Sequence, residues 1–111
     1  MSNATKAQNV YDESVAEVNR ILGSFTATDQ QKEVAQNTLN TLATEKGATI
    51  IEEIESRTAL LNSLVSELNT VIAAISVNPI GNAVDTFSKL VEQAKEIIDE
   101  DSSEGSGTRS V

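Results

Sequence analysis

The chain contains neither cysteine nor histidine among its 111 residues. Without thiols and imidazoles it can form no disulfide, it lacks the usual nucleophile–base pairs, and it lacks the ligands of nearly all zinc, copper and haem sites. It also contains no Gly-rich phosphate-binding motif. We therefore predict a protein that is not an enzyme, with no catalytic residue, no metal site, no cofactor and no small-molecule substrate.

Aromatic residues are scarce as well, since Trp is absent and only Tyr11, Phe25 and Phe87 carry rings. The core must then be built mainly from Val, Ile, Leu and Ala. A chain of this length forms one domain and buries only a modest fraction of its surface. Association with another protein, or with further copies of the chain, would therefore help to stabilise it.

The sequence has no uninterrupted apolar run of about 18 residues, which predicts that no helix spans a membrane. Its first residues, MSNATKAQNVYDES, lack the apolar segment of a secretory signal. We expect the protein either in the cytoplasm or within a larger assembly such as a virion, and the sequence does not decide between these locations.

Basic residues are few: 8 Lys and Arg stand against 17 Asp and Glu, for a net charge of −9. Residues 1–46 carry a net charge of −2, and residues 47–111 carry −7. Such a surface repels phosphate backbones and anionic lipids. We therefore predict no direct binding to nucleic acid and none to a membrane.

Apolar residues recur at intervals of three and four along most of the chain, which indicates amphipathic helices. We predict an all-α fold, an antiparallel bundle of three to four helices over residues 1–99 with a long central helix. The first helix is predicted at about 5–23, with an apolar stripe of Tyr11, Val15, Val18, Leu22 and Phe25. Thr28 is predicted to cap the next helix, with Gln31 completing a capping box.

The central segment, at about 28–77, has its most regular spacing from residue 51 onward, where apolar residues follow a heptad pattern. A second apolar row beside it widens this face, which suits a bundle better than a two-stranded coiled coil. Two residues of the last helix complete the set that we predict to pack between helices: Ile51, Ile54, Leu61, Val65, Leu68, Ile72, Ile75, Phe87 and Val91.

Gly47 leaves two alternatives open for the central helix. The helix can continue through one glycine at a cost of about 1 kcal/mol, and it would then be about 73 Å long over residues 29–77 at 1.5 Å per residue. Alternatively it splits near 46–48, with Thr49 and Glu52 forming a new capping box. The near alignment of the apolar faces across Gly47 favours the continuous helix.

The single proline lies in the stretch SVNPIGN (residues 76–82). Asn78 followed by Pro79 is typical of a helix start, which predicts a reversal followed by a last helix over 79–99; Asn82 offers a second possible start. The apolar stretch VIAAISV (residues 71–77) before it fits the bundle core better than a tip inserted into a membrane.

The last segment, 100–111, is acidic and then rich in Gly and Ser, so we predict a flexible, disordered tail. The stretch 99–107 alternates carboxylates as a calcium-binding loop does. Glu104 occupies the position that requires Gly, so we do not predict an EF-hand there. The cluster of Glu52, Glu53 and Glu55 is interpreted as a solvated helix face.

An internal similarity links two segments 50 residues apart. VAEVNRIL (15–22) and VSELNTVI (65–72) share Val, Glu and Asn at corresponding places. Two interpretations stand: a duplicated helical hairpin, or the general likeness of amphipathic helices. A duplication would place the turns 23–28 and 76–82 at equivalent positions.

These patterns favour a structural or assembly protein that acts through helix–helix packing and associates with itself, as subunits of virions, secretion machines or scaffolds do. The alternative is a small acidic adaptor or inhibitor that binds a basic protein, such as a nucleic-acid-binding protein. Salt distinguishes the two, because binding through charge weakens steeply as salt rises.

Overall fold

The computed structural model describes residues 2–45 and 50–110 and confirms the all-α class. Four helices follow one another in the chain: α1 over Asn3–Leu22, α2 over Asp29–Glu45, α3 over Ile54–Ser76 and α4 over Ala83–Ser110. A short 3₁₀ helix, Ile50–Glu52, precedes α3.

The four helices form an antiparallel bundle in which direction alternates along the chain. Each of α1 and α3 packs against both α2 and α4, and α1 also meets α3 across the centre. The α1–α2 and α3–α4 turns lie at one end, which we call the tip, defined by residues 23–28 and 77–82. The opposite end, which we call the base, contains Asp101 and the two residues that donate hydrogen bonds to it, Asn3 and Arg57.

The favoured prediction of one continuous central helix is wrong, and the split alternative is correct. Helices α2 and α3 are separate and pack side by side. The whole bundle is only 53 Å long, shorter than the unbroken helix would be. The predicted break at 46–48 and the capping role of Thr49 lie outside the described residues.

The first two helices begin at side-chain caps. Ser2 Oγ accepts the backbone N–H of Thr5 at 3.1 Å at the start of α1. The capping box predicted for α2 is present: Thr28 Oγ1 accepts the N–H of Gln31 at 3.1 Å, and Gln31 Oε1 accepts that of Thr28 at 2.9 Å. Each cap satisfies N–H groups that have no partner inside the helix.

Most of the residues predicted to pack between helices do so within the chain. Six are buried and two, Val65 and Ile72, are half-buried against the core. Ile54 departs from the prediction, since 46% of its side chain is exposed at the start of α3. The six buried ones are Ile51, Leu61, Leu68, Ile75, Phe87 and Val91.

Helix α3 is long and apolar enough, by length and composition alone, to cross a membrane, although the sequence has no uninterrupted apolar run. The core helix of a bundle meets the same criterion. Seven residues of α3 are buried against the other helices. Packing within the bundle therefore accounts for the apolar character of α3.

Both predicted ends of the last helix need correction. Asn78 and Pro79 precede the helix and belong to the turn, in which Gly81 has a φ of +55° that favours glycine. The helix begins at Ala83, directly after Asn82, as the alternative start with Asn82 in the capping position predicts. It continues past residue 99, and the predicted start of the tail at residue 100 is wrong because Asp101 is buried inside the bundle.

The two hairpins, α1–α2 and α3–α4, bury equivalent positions. Every buried residue of α1 has a buried counterpart 50 residues later in α3. The described buried residues of α2 have counterparts 52 residues later in α4, namely Gln31 with Ala83, Ala35 with Phe87, Thr38 with Leu90 and Leu42 with Ala94. The hairpins are therefore structurally equivalent, and the second contains two more residues before its second helix.

Candidate functional site

The tip is held together by the side-chain amide of Gln31, which is almost completely buried. Its Nε2 donates to the backbone carbonyls of Ala74 and Asn78, each at 3.0 Å. Its Oε1 accepts the N–H of Thr28 at 2.9 Å and Nδ2 of Asn78 at 3.0 Å. The amide therefore uses all of its hydrogen-bonding capacity and joins the α1–α2 turn to the α3–α4 turn.

Asn78 completes this connection from the other side. Its Nδ2 also donates to the carbonyl of Thr26 at 2.8 Å, across 52 residues of sequence. Asn78 was predicted to cap the last helix, but its side-chain amide binds the neighbouring turn instead. We call Gln31 and Asn78 together the tip clasp; it fixes the two turns relative to each other.

Two large apolar side chains project from the turns that the clasp holds. Phe25 is fully exposed and Val77 is 85% exposed. Phe25 directly precedes Thr26, and Val77 directly precedes Asn78, so they flank the hydrogen bond that joins the turns. The exposure of Phe25 corrects the prediction that it continues the buried stripe of α1, because the helix ends at Leu22 and Gly23–Ser24 turns the chain away.

The tip contains no charged residue. Residues 21–28 and 68–84 are free of Asp, Glu, Lys and Arg, and Ser, Thr and Asn are its only polar side chains. This property is readable from the sequence, but the sequence alone does not bring the two segments together. The tip is thus an uncharged surface with two exposed apolar side chains.

The base has the opposite character. Arg57 and Asp101 are 5% and 2% exposed and form a bidentate ion pair, with both nitrogen–oxygen distances at 2.8 Å. Hydrogen bonds from Arg57, assisted by one from Asn3, hold the pKa of Asp101 below its ordinary value of 3.8 although burial opposes this. Around this pair the surface is acidic, with the exposed residues Glu52, Glu53, Glu55, Glu96, Asp99 and Glu100.

No group of three or more potential metal ligands occurs within residues 2–45 and 50–110. An open groove lined in part by Glu13, Glu96 and Glu100 runs between α1 and α4. Among the described residues, the tip combines two exposed large apolar side chains with the absence of charged residues.

The fold and this surface define a class: a four-helix antiparallel bundle with one uncharged, partly apolar end and one acidic end. Comparison with known proteins finds no matching family model, no similar curated protein and no similar solved structure.

Proposed function

We propose that this protein is a non-enzymatic structural or assembly protein that works through protein–protein contact and associates with further copies of itself. The observation that carries the proposal is the pair Phe25 and Val77, two exposed apolar side chains on an uncharged end. Exposed apolar groups gathered on one surface are typical of interaction sites.

The heptad pattern of α3 suggested contact between subunits, but in this proposal the heptad residues pack within one chain. Because Leu61, Leu68 and Ile75 are fully buried inside the bundle, they serve to build the subunit. The contact between subunits then uses the outer surface, and the tip is the part of that surface with exposed apolar groups and no charge. The subunit is an elongated bundle, and one of its ends carries the apolar contact surface.

Solution molar mass measured by light scattering tests the proposal. The purified chain, at low and at high salt and over a range of protein concentrations, should give masses above the 11.8 kDa of one chain. Association through apolar contact should persist at high salt. A mass of 11.8 kDa at every salt and protein concentration would exclude self-association as the primary role.

The acidic base favours a second candidate, a small adaptor or inhibitor of a basic protein. Carboxylates concentrated at one end attract a positively charged partner. The salt series also distinguishes this function, because a complex with a basic protein weakens as salt rises, whereas the apolar self-association does not.

A further inference from the structure

We propose that two copies of the chain associate tip to tip, with Phe25 of each copy packed on Val77 of the other around a two-fold axis. This inference rests on the proposed function, since it specifies which surface a self-associating chain uses.

The two hairpins give the tip one exposed apolar side chain on each of its two turns. Phe25 and Val77 are 52 residues apart, the same offset that relates the buried positions of α2 and α4. Ser24 and Ser76 precede them at the same offset. Each tip therefore presents one larger and one smaller apolar side chain, Phe25 three residues past the end of α1 and Val77 directly after the end of α3. In a two-fold interface, residue i meets residue j and j meets i, so the proposed contact of Phe25 with Val77 is made twice.

The absence of charge favours the tip for contact between identical molecules. Two chains that each carry −9 repel one another wherever acidic surfaces approach. The tip has no charged residue, and the acidic base lies at the other end of a 53 Å rod. That separation is several times the Debye length of about 8 Å at physiological salt, so tip-to-tip contact leaves the bases electrostatically screened from each other.

The size of the tip limits the area that the contact can bury. The two shorter dimensions of the bundle are 24 and 20 Å, so its end offers an area on the order of 500 Å², below the roughly 800 Å² per partner of a standard interface. A contact of this size belongs with the small, transient interfaces, so we expect weak and reversible association. The tip clasp reduces the ordering needed on binding, because the turns are already fixed.

A lipid surface is a poorer fit to the same residues. Stable membrane association requires a second signal besides a small apolar insertion, commonly basic residues that attract anionic headgroups. The nearest basic side chains, Arg20 and Lys32, lie outside the uncharged segments, and Arg20 is paired with Glu17. The observations therefore favour a second copy.

Sedimentation velocity over a range of concentrations, at low and high salt, tests the arrangement with the variants Phe25→Ser and Val77→Ser. We expect the wild-type chain to approach twice its monomer mass and each variant to dimerise at least about tenfold more weakly, as for residues central to an interface. Ile54→Ser is the matched control, because Ile54 is an exposed large apolar residue at the other end, and it should leave dimerisation unchanged. Circular dichroism checks that all variants keep their helical content.

Cross-linking gives a second measurement that depends on geometry. The chain has no cysteine, so Thr26→Cys and Ser102→Cys each introduce a unique thiol, one at the tip and one on the exposed surface near the base. Under mild oxidation Thr26→Cys should form a disulfide-linked dimer much faster than Ser102→Cys. Equal rates would contradict tip-to-tip contact.

The outcomes separate this inference from the function on which it rests. A wild-type dimer or larger oligomer that is unaffected by Phe25→Ser and Val77→Ser overturns the tip interface and leaves self-assembly standing. A wild-type monomer under all conditions overturns both. Binding of the monomer to phosphatidylcholine vesicles that depends on Phe25, without dimerisation, overturns the second copy as the occupant of the tip.

Discussion

Arg57 and Asp101, 44 residues apart in the sequence, form a bidentate ion pair that closes the base of the bundle. Nε and Nη2 of Arg57 donate to the two carboxylate oxygens at 2.8 Å, while Nη1 donates to the carbonyl of Ile51 at 2.9 Å. Nδ2 of Asn3 adds a third hydrogen bond to the carboxylate at 2.7 Å. The pair thereby fixes the start of α1, the start of α3 and the late part of α4 at one place.

Replacing Asp101 should destabilise the fold strongly. In Asp101→Asn the buried guanidinium of Arg57 loses the charge of its bidentate partner, and removing one partner of a buried ion pair costs about 3–5 kcal/mol. Urea unfolding followed by circular dichroism measures the change. The neighbouring Glu100→Gln is the control: its ion pair with Lys6 is exposed, so its effect should be within about 1 kcal/mol.

A double replacement distinguishes the charge from the packing. Arg57→Met with Asp101→Leu removes both charges of the pair together and should be clearly more stable than Asp101→Asn, because neither charge of the pair stays buried without the other. Equal destabilisation of the two variants would show that the ion pair matters only through side-chain volume.

The same pair predicts how stability depends on pH. The pKa of Asp101 is lowered in the folded chain below its ordinary value of 3.8, chiefly by the hydrogen bonds from Arg57. The folded state therefore binds fewer protons than the unfolded state, so this contribution is fully present above pH 3.8 and is lost as pH falls through the lowered pKa. Unfolding free energies of the wild type and Asp101→Asn should converge as pH falls below 3.8; a constant difference would contradict the assignment.

Gln31 should be far more sensitive than its neighbour Gln30. Gln31→Leu removes a buried amide that makes four hydrogen bonds and leaves their partners in both turns unsatisfied, which costs about 1–3 kcal/mol. Gln30→Leu changes an exposed residue of the same type in the same helical turn and should have an effect within about 0.5 kcal/mol. Thermal unfolding of the two variants makes the comparison.

The single tyrosine lies between α1 and α2, and its pKa, measured by absorbance, reports on the burial of its hydroxyl. Tyr11 is buried and donates its hydroxyl to the carbonyl of Leu42 at 3.1 Å. Burial, and secondarily the negative charge of Asp12, raise its pKa above 10.0. The midpoint of the phenolate absorbance titration should therefore lie above pH 10.0 in the folded chain and return to the ordinary value in denaturant.

Asp12→Asn tests the two causes separately. It removes the lesser one, so the pKa of Tyr11 should fall part of the way and remain above 10.0. A return to 10.0 in the folded variant would mean that the charge of Asp12, and not burial, dominates.

Local features of the fold were predictable from the sequence because their causes are local. The capping box of Thr28 and Gln31 depends on residues three apart, and the helical class depends on apolar spacing of three and four. The end of α1 at Gly23 was predicted, yet Phe25 was still assigned to the apolar stripe of that helix, which ends at Leu22. The absence of charge in segments 21–28 and 68–84 can be seen in the sequence, but each segment by itself resembles an ordinary turn or core segment.

The sequence by itself determined that this chain forms amphipathic helices, that its core is aliphatic and that its acidic charge lies mainly in the second half. Only the tertiary structure decided that α2 and α3 are separate helices, that Arg57 pairs with Asp101, and that Phe25 and Val77 share one end. The physical reason is that periodicity specifies which face of a helix is apolar but not which other helix covers it. That choice depends on contacts between residues tens of positions apart, which only packing brings together.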